Sequence, residues 1–211
     1  MSNLIRPTIL MCVATAIVSP AQTFETLASF NPNGGSDPRY VTLVQGIDGY
    51  LYGTTAGGGL HGWGAIFKIS TGGALMTVHS FYFYGSGGSP GVGMVQGIDG
   101  AFYGTAYQGG ANGYGAVFRM APDGKVTTLH SLRPADGASP GALVRARNGN
   151  LYGTTYGAYD CCIANKNGSV FEVAPAGTMT TLHSFNVTDG AEPVGQLVLT
   201  SGGELYGMEQ P

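Results

Sequence analysis

Charged residues are scarce in this sequence. Asp, Glu, Lys and Arg make up only 10% of its 211 residues, the formal net charge is -3, and Lys and Arg form no cluster. A protein that follows a phosphate backbone needs a basic patch or stripe. The composition therefore argues against nucleic-acid binding and against electrostatic capture of a charged partner.

Cysteines are also few, which excludes a disulfide scaffold. Of the three cysteines, Cys12 lies in the apolar N-terminal segment, and the other two are the adjacent pair Cys161 and Cys162. This pair could form a strained vicinal disulfide. The interpretation we favour is two loop thiols in an oxidising compartment, which are also able to pair between chains.

The apolar run at the N-terminus, Pro7–Val18, is short. A membrane span needs about 20 apolar residues. Arg6 precedes the run and the small residues Ser19–Ala21 end it, which is the pattern of a signal peptide. We therefore predict a signal peptide over residues 1–21, a mature chain (22–211) that begins near Gln22 without a membrane span, and secretion to the periplasm or the extracellular space.

Glycine and aromatic residues are plentiful. The sequence has 37 Gly, 12 Tyr and 9 Phe, and 43% of its residues are hydrophobic. Disordered chains lack such aromatic content, and collagen needs a glycine at every third position, which is not seen here. The mixture is typical of short β-strands joined by tight turns.

Four motifs recur in constant order at intervals of roughly 50 residues, a typical repeat length. They are LYGTT and its variants, G-x-[IV]-F, [TV]-[LV]-H-S and a proline after a glycine-rich segment. The positions in register are Tyr52, Tyr103, Tyr152 and Tyr206; Phe67, Phe118 and Phe171; His79, His130 and His183; and Pro38, Pro90, Pro140 and Pro193. The repeat units cover approximately 22–71, 72–122, 123–175 and 176–211.

Each complete unit contains four short apolar segments separated by turn residues, which predicts a four-stranded meander. Dipeptides such as Asp48-Gly49 between the first and second strands suit a two-residue type I′ hairpin. The segment FETLASF (24–30) matches a fourth strand and is expected to help close the last unit, which has only two strands of its own.

A single meander cannot bury both of its faces, so neighbouring units must stack. We predict an all-β fold in which tandem four-stranded meanders form a β-propeller of about four blades with an incomplete last blade, or a fragment of a larger propeller. An open β array or another sandwich is the alternative.

The set LYGTT, the GG loop, G-x-V-F, L-H-S-F and DG-x-x-P resembles the tandem repeats of the GloVer family of bacterial secreted and surface proteins, over Thr23 to Gly207. The resemblance implies an extracellular protein with many such repeats. Family members often carry a C-terminal sorting anchor. This sequence shows none, which weakens the expectation of surface attachment.

No pattern of catalytic or metal-binding residues stands out. The repeated histidines lack H-x-x-H spacing, and we expect each ring to hydrogen-bond a Ser, a Thr or a backbone group within its blade. Asp and Asn before glycine are explained by turn chemistry rather than calcium binding. No phosphate-binding loop is present, because no Gly-Lys-Ser/Thr follows the glycine-rich segments. We predict no cofactor.

Aromatic residues in the loops between second and third strands are the strongest binding signal. They are Trp63, Tyr107, Tyr114, Tyr156 and Tyr159. Exposed aromatics suit stacking on sugar rings or anchoring of a peptide, although Trp63 and Tyr114 share one register and could be packing residues.

The resulting functional hypothesis is a non-enzymatic extracellular repeat protein that presents a loop surface to a glycan or protein ligand. Two alternatives remain open. One is a polysaccharide-active propeller enzyme, a lyase or hydrolase, and the other is a truncated fragment without a function of its own. Unpaired strand edges in an incomplete blade could also support oligomers.

Overall fold

The computed structural model describes residues 26–31, 33–38, 41–157, 167–186 and 188–210, and every regular element in these ranges is a β-strand. No helix with the length and apolarity of a membrane span occurs in these ranges. The predicted signal peptide, Tyr159, Cys161 and Cys162 lie outside the described residues. The strands are β1 (Val44–Gln45), β2 (Leu51–Thr55), β3 (Ala65–Ile69), β4 (Leu75–Ser80), β5 (Met94–Gln96), β6 (Phe102–Ala106), β7 (Ala116–Met120), β8 (Val126–Ser131), β9 (Val144–Arg145), β10 (Leu151–Thr155), β11 (Ser169–Val173), β12 (Met179–Ser184), β13 (Ala191–Leu199) and β14 (Leu205–Gln210).

These strands form three four-stranded antiparallel sheets and one two-stranded sheet. Each larger sheet keeps its strands in chain order, β1 to β4, β5 to β8 and β9 to β12, and β13 pairs with β14. We call these sheets blades 1, 2, 3 and 4. The predicted tandem meanders are confirmed.

The first strands of neighbouring blades contact one another, β1 with β5 and β9 with β13. The first-strand edge of each sheet therefore faces the inside of the stack, and the fourth strands β4, β8 and β12 form the opposite, outer edge. This order of strands from inside to outside is that of a propeller blade.

Apolar side chains from neighbouring blades share common cores. One core joins blades 1 and 2 and includes Phe81 and Phe118, and another joins blades 2 and 3 and includes Leu132 and Phe171. All four of these residues are fully buried. Stacking thus buries the faces that one meander alone would leave exposed, as the repeat required.

The predicted two-residue type I′ hairpins are wrong. Type I′ turns need positive φ at both central residues, yet at Asp48-Gly49 only Gly49 has positive φ (83°). The Gly49 N–H donates to the Gly46 carbonyl (3.0 Å), and the Gly46 N–H donates to the Tyr50 carbonyl (2.8 Å). This is a three-residue loop that ends in a left-handed glycine, as in a G1 bulge. Asp48 can then stay right-handed and accept the Tyr50 N–H on its carboxylate (3.3 Å).

The prediction of a strand over 24–30 is also wrong for its described part, because residues 26–31 have no strand structure. Phe30 nevertheless packs edge-on against Phe67, with ring centroids 4.8 Å apart. Phe81, which follows the fourth strand of blade 1, contacts Phe118 of blade 2 in the same way at 5.1 Å. Phe30 therefore packs on blade 1 as Phe81 packs on blade 2, although the segment that carries Phe30 forms no strand.

Candidate functional site

A residue in the left-handed conformation precedes each proline of the repeat, and Ser89 and Ser139 among them link successive blades. These residues have φ between 49° and 60° and are Asp37, Ser89, Ser139 and Glu192. The Ser139 N–H donates to the Tyr114 carbonyl of blade 2 (3.0 Å), and the Ser139 carbonyl accepts the Tyr156 N–H of blade 3 (3.2 Å). The conformation costs a non-glycine residue about 1–2 kcal/mol, so these inter-blade hydrogen bonds hold it in place.

Three of the prolines that follow these residues, Pro90, Pro140 and Pro193, pack against a glycine of the preceding blade. A Cβ atom on Gly115 would lie 2.5 Å from Pro140 Cδ, and the pair Gly168 and Pro193 has the same geometry. Only glycine fits at such a distance. These contacts fix the loop ends of adjacent blades against each other, and the loops at this end carry the candidate binding surfaces.

A cavity of about 380 Å³ opens at this loop end, near the inner strands. Thr42, Val92 and Ala142, which lie shortly before β1, β5 and β9, contribute to its lining. Tyr107 and Tyr156, which share one register position, also line it. We call it the inner cavity. The Tyr156 hydroxyl donates to the Glu192 carboxylate (2.7 Å), so a carboxylate lies at its margin.

A second depression of about 460 Å³ is lined entirely by rings. Its five residues are His61 and Trp63, from the β2–β3 loop, and Tyr82, Phe83 and Tyr84, which follow β4. We call them the aromatic patch. All except Phe83 are exposed to solvent, and Tyr84 is the most exposed, at 83%. No charged side chain contributes to this lining.

Contacts among the rings hold the aromatic patch in one arrangement. Phe83 packs against Trp63 on one side (centroids 4.7 Å apart) and edge-on against Tyr84 on the other (5.0 Å). Trp63 also lies over Gly88, where a Cβ atom would come within 3.0 Å of the indole ring. The glycine lets the indole approach the backbone closely, so the patch has a firm base formed by two blades.

The structure thus distributes the predicted loop aromatics over different environments. Tyr107 and Tyr156 line the inner cavity and Trp63 belongs to the aromatic patch, while Tyr114 packs against the core between blades 2 and 3. Residues 82–84 were not predicted, because only this unit carries aromatics there. The run YFY, where the other units read RPA and NVT, was the available signal.

The repeated histidines lie on the outer strands, away from the inner edge of the stack. Each reaches the loop that follows its own strand. His79 Nε2 lies 3.5 Å from Ser86 Oγ, His130 Nε2 lies 2.8 Å from an Asp136 oxygen, and His183 Nε2 lies 3.3 Å from an Asp189 oxygen. These partners share one register position, four residues before the repeat proline. A carboxylate partner was not expected from the sequence.

A bulge in each fourth strand explains why these partners were missed. The pairing of β7 with β8 shifts between Val117–His130 and Phe118–Thr128, which leaves Leu129 as an extra residue. The same shift occurs beside His79 and His183. A bulge re-aims the side chains next to it, so simple alternation along the strand does not predict where these histidines point.

Asp136 is the most buried carboxylate among the described residues, at 5% exposed. Burial by itself would raise its pKa. Hydrogen bonds from the Arg133 guanidinium, from His130 and from the Arg133 N–H outweigh burial and hold the pKa of Asp136 below its ordinary value. This network closes the loop between blades 2 and 3.

In the three complete blades, the tyrosine in register donates its hydroxyl hydrogen to a carboxylate. Tyr52 donates to Asp48 (2.8 Å), Tyr103 to Asp99 (3.1 Å) and Tyr152 to Glu172 (2.9 Å). Burial, together with the hydrogen bond to Asp48, raises the pKa of Tyr52 to about 12.

Each phenylalanine in register covers the glycine of the LYGTT motif on the neighbouring strand. A Cβ atom on that glycine would lie 2.5 Å from Phe67 Cζ, 2.5 Å from Phe118 Cζ and 2.7 Å from Phe171 Cζ. The ring and the bare backbone therefore pack together as one unit in every complete blade.

Acidic and metal-ligating residues do not converge in the part of the chain that the structure describes. No three His, Cys, Asp or Glu side chains in it are placed to share a metal ion. The arrangement of these blades therefore offers aromatic surfaces and one inner cavity as its candidate sites.

Solved structures with a similar fold include one gluconolactonase and one structural-genomics target assigned to that class of enzyme. One, from Xanthomonas campestris, is 16% identical with a TM-score of 0.56 over 85% of this chain and 57% of its own. The other, a structural-genomics target described as a gluconolactonase, is 18% identical with a TM-score of 0.52 over 79% of this chain and 56% of its own. The chain thus spans little more than half the length of either structure, and the likeness shows the propeller-type fold alone.

No protein of curated function matches the sequence. The repeat family does match, over residues 15–211, which confirms the resemblance in the motifs. The chain belongs to the Gloeobacter/Verrucomicrobia repeat family.

Proposed function

We propose that this chain is a non-enzymatic extracellular binding protein and that the aromatic patch binds a neutral glycan. The observation that carries the proposal is a depression lined by five rings and by no charged side chain. One face of a pyranose ring presents C–H groups, which pack on the face of an aromatic ring. Trp and Tyr rings supply large apolar area together with a polar group that can hydrogen-bond a sugar hydroxyl.

The geometry also favours a rigid binding surface. Trp63 is held between Phe83 and the backbone at Gly88, so little side-chain entropy is lost when a ligand stacks on it. Tyr82 contacts His61 edge-on, with centroids 5.9 Å apart, at the other side of the depression. A rigid apolar base flanked by polar ring atoms matches a sugar ring, which has an apolar face and a polar circumference.

A glycan array followed by fluorescence titration tests the proposal. Trp63 is the single tryptophan of the sequence, so its emission reports directly on occupation of the patch. We expect the bound glycan to shift or quench that emission. Tyr84→Ala removes one anchor ring and is expected to weaken binding about tenfold, which corresponds to about 1.4 kcal/mol.

Tyr107→Ala is the matched control, because it removes a ring of the inner cavity and leaves the patch intact. Folded protein that binds no glycan would contradict the proposal. Binding that Tyr107→Ala abolishes and Tyr84→Ala leaves unchanged would assign the ligand to the inner cavity instead.

A second candidate function is hydrolysis or lyase chemistry at the inner cavity. The hydrogen bond between the Tyr156 hydroxyl and Glu192 favours it, since a carboxylate beside a ligand-sized cavity can serve as a general base. One similar solved structure is a gluconolactonase and another is assigned to that class of enzyme, which supports a propeller enzyme only at the level of fold. Turnover of a lactone or an oligosaccharide that Glu192→Gln abolishes would establish this activity.

A further inference from the structure

A slot opens between blades 1 and 2 at the end of the blades that is opposite the loop end. The turns between first and second strands and between third and fourth strands lie at this end. The volume of the slot is about 370 Å³, which is the size of a small-molecule site. Tyr52 and Phe102, two buried rings with centroids 4.5 Å apart, line it together with Met76 and Met120. We call it the turn-end slot.

The interface between blades 1 and 2 is more open here than the interface between blades 2 and 3. A Cβ atom on Gly177, in the turn that leads to β12, would lie 2.6 Å from the carbonyl oxygen of Leu129 in β8. The counterparts in the preceding interface are Gly124 and Val78. A Cβ atom on Gly124 would meet only Val78 Cγ1, at 3.2 Å, and no described backbone atom of β4 within 4 Å. The turn of blade 2 therefore stands away from β4, and the slot results.

Lys68 contributes a cation to the lining of the turn-end slot. It is the cross-strand partner of Tyr52 on one side and of Met76 on the other, so these three side chains share the face of blade 1 that meets blade 2. The Lys68 Nζ atom lies 4.5 Å from the centroid of the Tyr50 ring. It forms no ion pair or hydrogen bond with a residue of the described ranges.

The corresponding cation of blade 2 is neutralised within its own blade. Arg119 has the register position of Lys68, and its guanidinium donates to the Asp99 carboxylate (2.8 Å). In blade 1 the equivalent carboxylate, Asp48, accepts the hydroxyl hydrogen of Tyr52 (2.8 Å) but no hydrogen from Lys68. The ammonium group of Lys68 is thus able to pair with an anion from outside the chain.

The other acidic residue of the lining lies at the outer rim. Asp123 is exposed to solvent on the β7–β8 turn, and its carboxylate accepts the N–H of Lys125 (3.0 Å). Water and salt screen an exposed charge more strongly than a partly buried one. The inner part of the slot therefore combines apolar walls with the positive charge of half-buried Lys68.

We propose that the turn-end slot binds a small amphiphilic carboxylate, whose apolar body lies between Met76 and Met120 on Phe102 and whose carboxylate pairs with Lys68. Methionine side chains adapt to apolar bodies of different shape and pack well on aromatic rings. A hydrogen bond between an ammonium group and a carboxylate is stronger than a neutral one. A fatty acid and an aromatic carboxylate share this chemistry, whereas the aromatic patch has no charged side chain to hold an anion.

Isothermal titration of the full chain with octanoate and with octan-1-ol tests the proposal. These two ligands have the same hydrocarbon chain and differ in the charged group. We expect octanoate to bind saturably and about tenfold more tightly than octan-1-ol, because only octanoate can pair with Lys68. 1-Naphthoate, titrated in the same way, distinguishes an aromatic from an aliphatic body, and saturable binding of either carboxylate supports the proposal.

Three protein variants locate the site. Lys68→Met keeps the apolar stem and removes the charge, and it should weaken octanoate binding about tenfold while octan-1-ol binding stays unchanged. Arg119→Met is the matched control, since it makes the same change at the same register position of blade 2 and should leave octanoate binding unchanged. Met76→Glu, at a position that is 50% exposed, gives Lys68 a carboxylate of its own and should also weaken octanoate binding. Circular dichroism checks that each variant is folded.

The emission of Trp63 separates the turn-end slot from the aromatic patch. Trp63 lies at the opposite end of the blades, so octanoate should leave its emission unchanged, whether or not the patch binds a glycan. The proposal is overturned if neither carboxylate binds, if octanoate and octan-1-ol bind equally, or if Lys68→Met weakens octanoate binding no more than Arg119→Met does. Quenching of Trp63 over the range in which octanoate binds would also overturn it, because the ligand would then occupy the aromatic patch.

Discussion

Replacing Gly104 with alanine should destabilise the protein through a clash with one ring. The new Cβ atom would lie 2.5 Å from Phe118 Cζ and 3.1 Å from Met94 Cγ, whereas carbon atoms pack at about 3.5–4.0 Å. Phe118 is fully buried and Phe81 lies on it at 5.1 Å, so the ring has little room to move away. Extra methyl groups in a packed core cost about 1–3 kcal/mol.

Part of that cost is offset in the unfolded state. Alanine has fewer unfolded conformations than glycine, which stabilises the folded protein by about 0.4–1 kcal/mol where the backbone conformation suits both residues. Gly104 does not have positive φ, so this gain applies. The expected net loss for Gly104→Ala is about 1–2 kcal/mol, or a fall of about 2–8 °C in Tm for a chain of this size.

Urea unfolding, followed by circular dichroism and by Trp63 emission, measures this loss. The matched control is Gly207→Ala at the same register position of blade 4, where the new Cβ meets only the flexible end of Leu197. We expect the control to stay within about 0.5 kcal/mol of the parent protein. Equal losses of unfolding free energy for both variants, or no loss for Gly104→Ala, would refute the argument that the Phe118 ring leaves no room for a side chain at position 104.

Three further predictions concern single side chains. Burial, with a smaller contribution from His61, lowers the pKa of His79, so the unfolded chain binds that proton more tightly and the unfolding free energy falls as pH drops below about 6.5. Ser86→Asp supplies the carboxylate found in blades 2 and 3, and it should reduce or reverse this pH dependence of stability in urea melts at pH 5 and 7.5. An unchanged pH dependence would argue against the predicted pairing of His79 with a carboxylate at position 86. The lowered pKa of Asp136 contributes stability that is present above its ordinary pKa of about 3.9 and is lost as pH falls through the lower folded value. Acid unfolding of Asp136→Asn should therefore depend less on pH than that of the parent protein, and the free energy of unfolding of the variant at pH 7 should be lower by about 1.5–3 kcal/mol. Ser139, at φ 56°, should tolerate Gly without loss, whereas Val should cost about 1–3 kcal/mol in thermal melts, and equal stability of the two variants would show that the left-handed conformation is not required.

Much of the fold was predictable from the sequence because its signals are local. Short apolar segments such as Leu51–Thr55 and Ala65–Ile69 form strands where the repeated motifs placed them. The turn glycines mark every hairpin, although one left-handed residue suffices where two were predicted. The stacking of blades followed from the two apolar faces of each meander, since each face needs a neighbour to exclude water.

The candidate sites were less predictable because they combine residues from different units. Trp63 and Tyr107 are loop aromatics of similar appearance in the sequence, yet one joins the aromatic patch and the other lines the inner cavity. Comparison of repeats draws attention to shared positions, so the aromatic run 82–84, which occurs in a single unit, was overlooked. The bulges beside His130 and His183 change the direction of these side chains, so alternation along the strand did not predict their carboxylate partners.

Apolar periodicity and turn glycines act over a few residues, so the amino-acid sequence alone is enough to predict the repeat length, the strand order within each blade and the need for blades to stack. Which side chains meet across blades is visible only in the folded arrangement of the sheets. The left-handed Ser139 makes its backbone hydrogen bonds to two different blades, and residues of blade 3, such as Phe185, line one cavity together with Gly207 of blade 4. Such contacts join residues that are distant in sequence, and their geometry depends on how closely whole sheets approach each other.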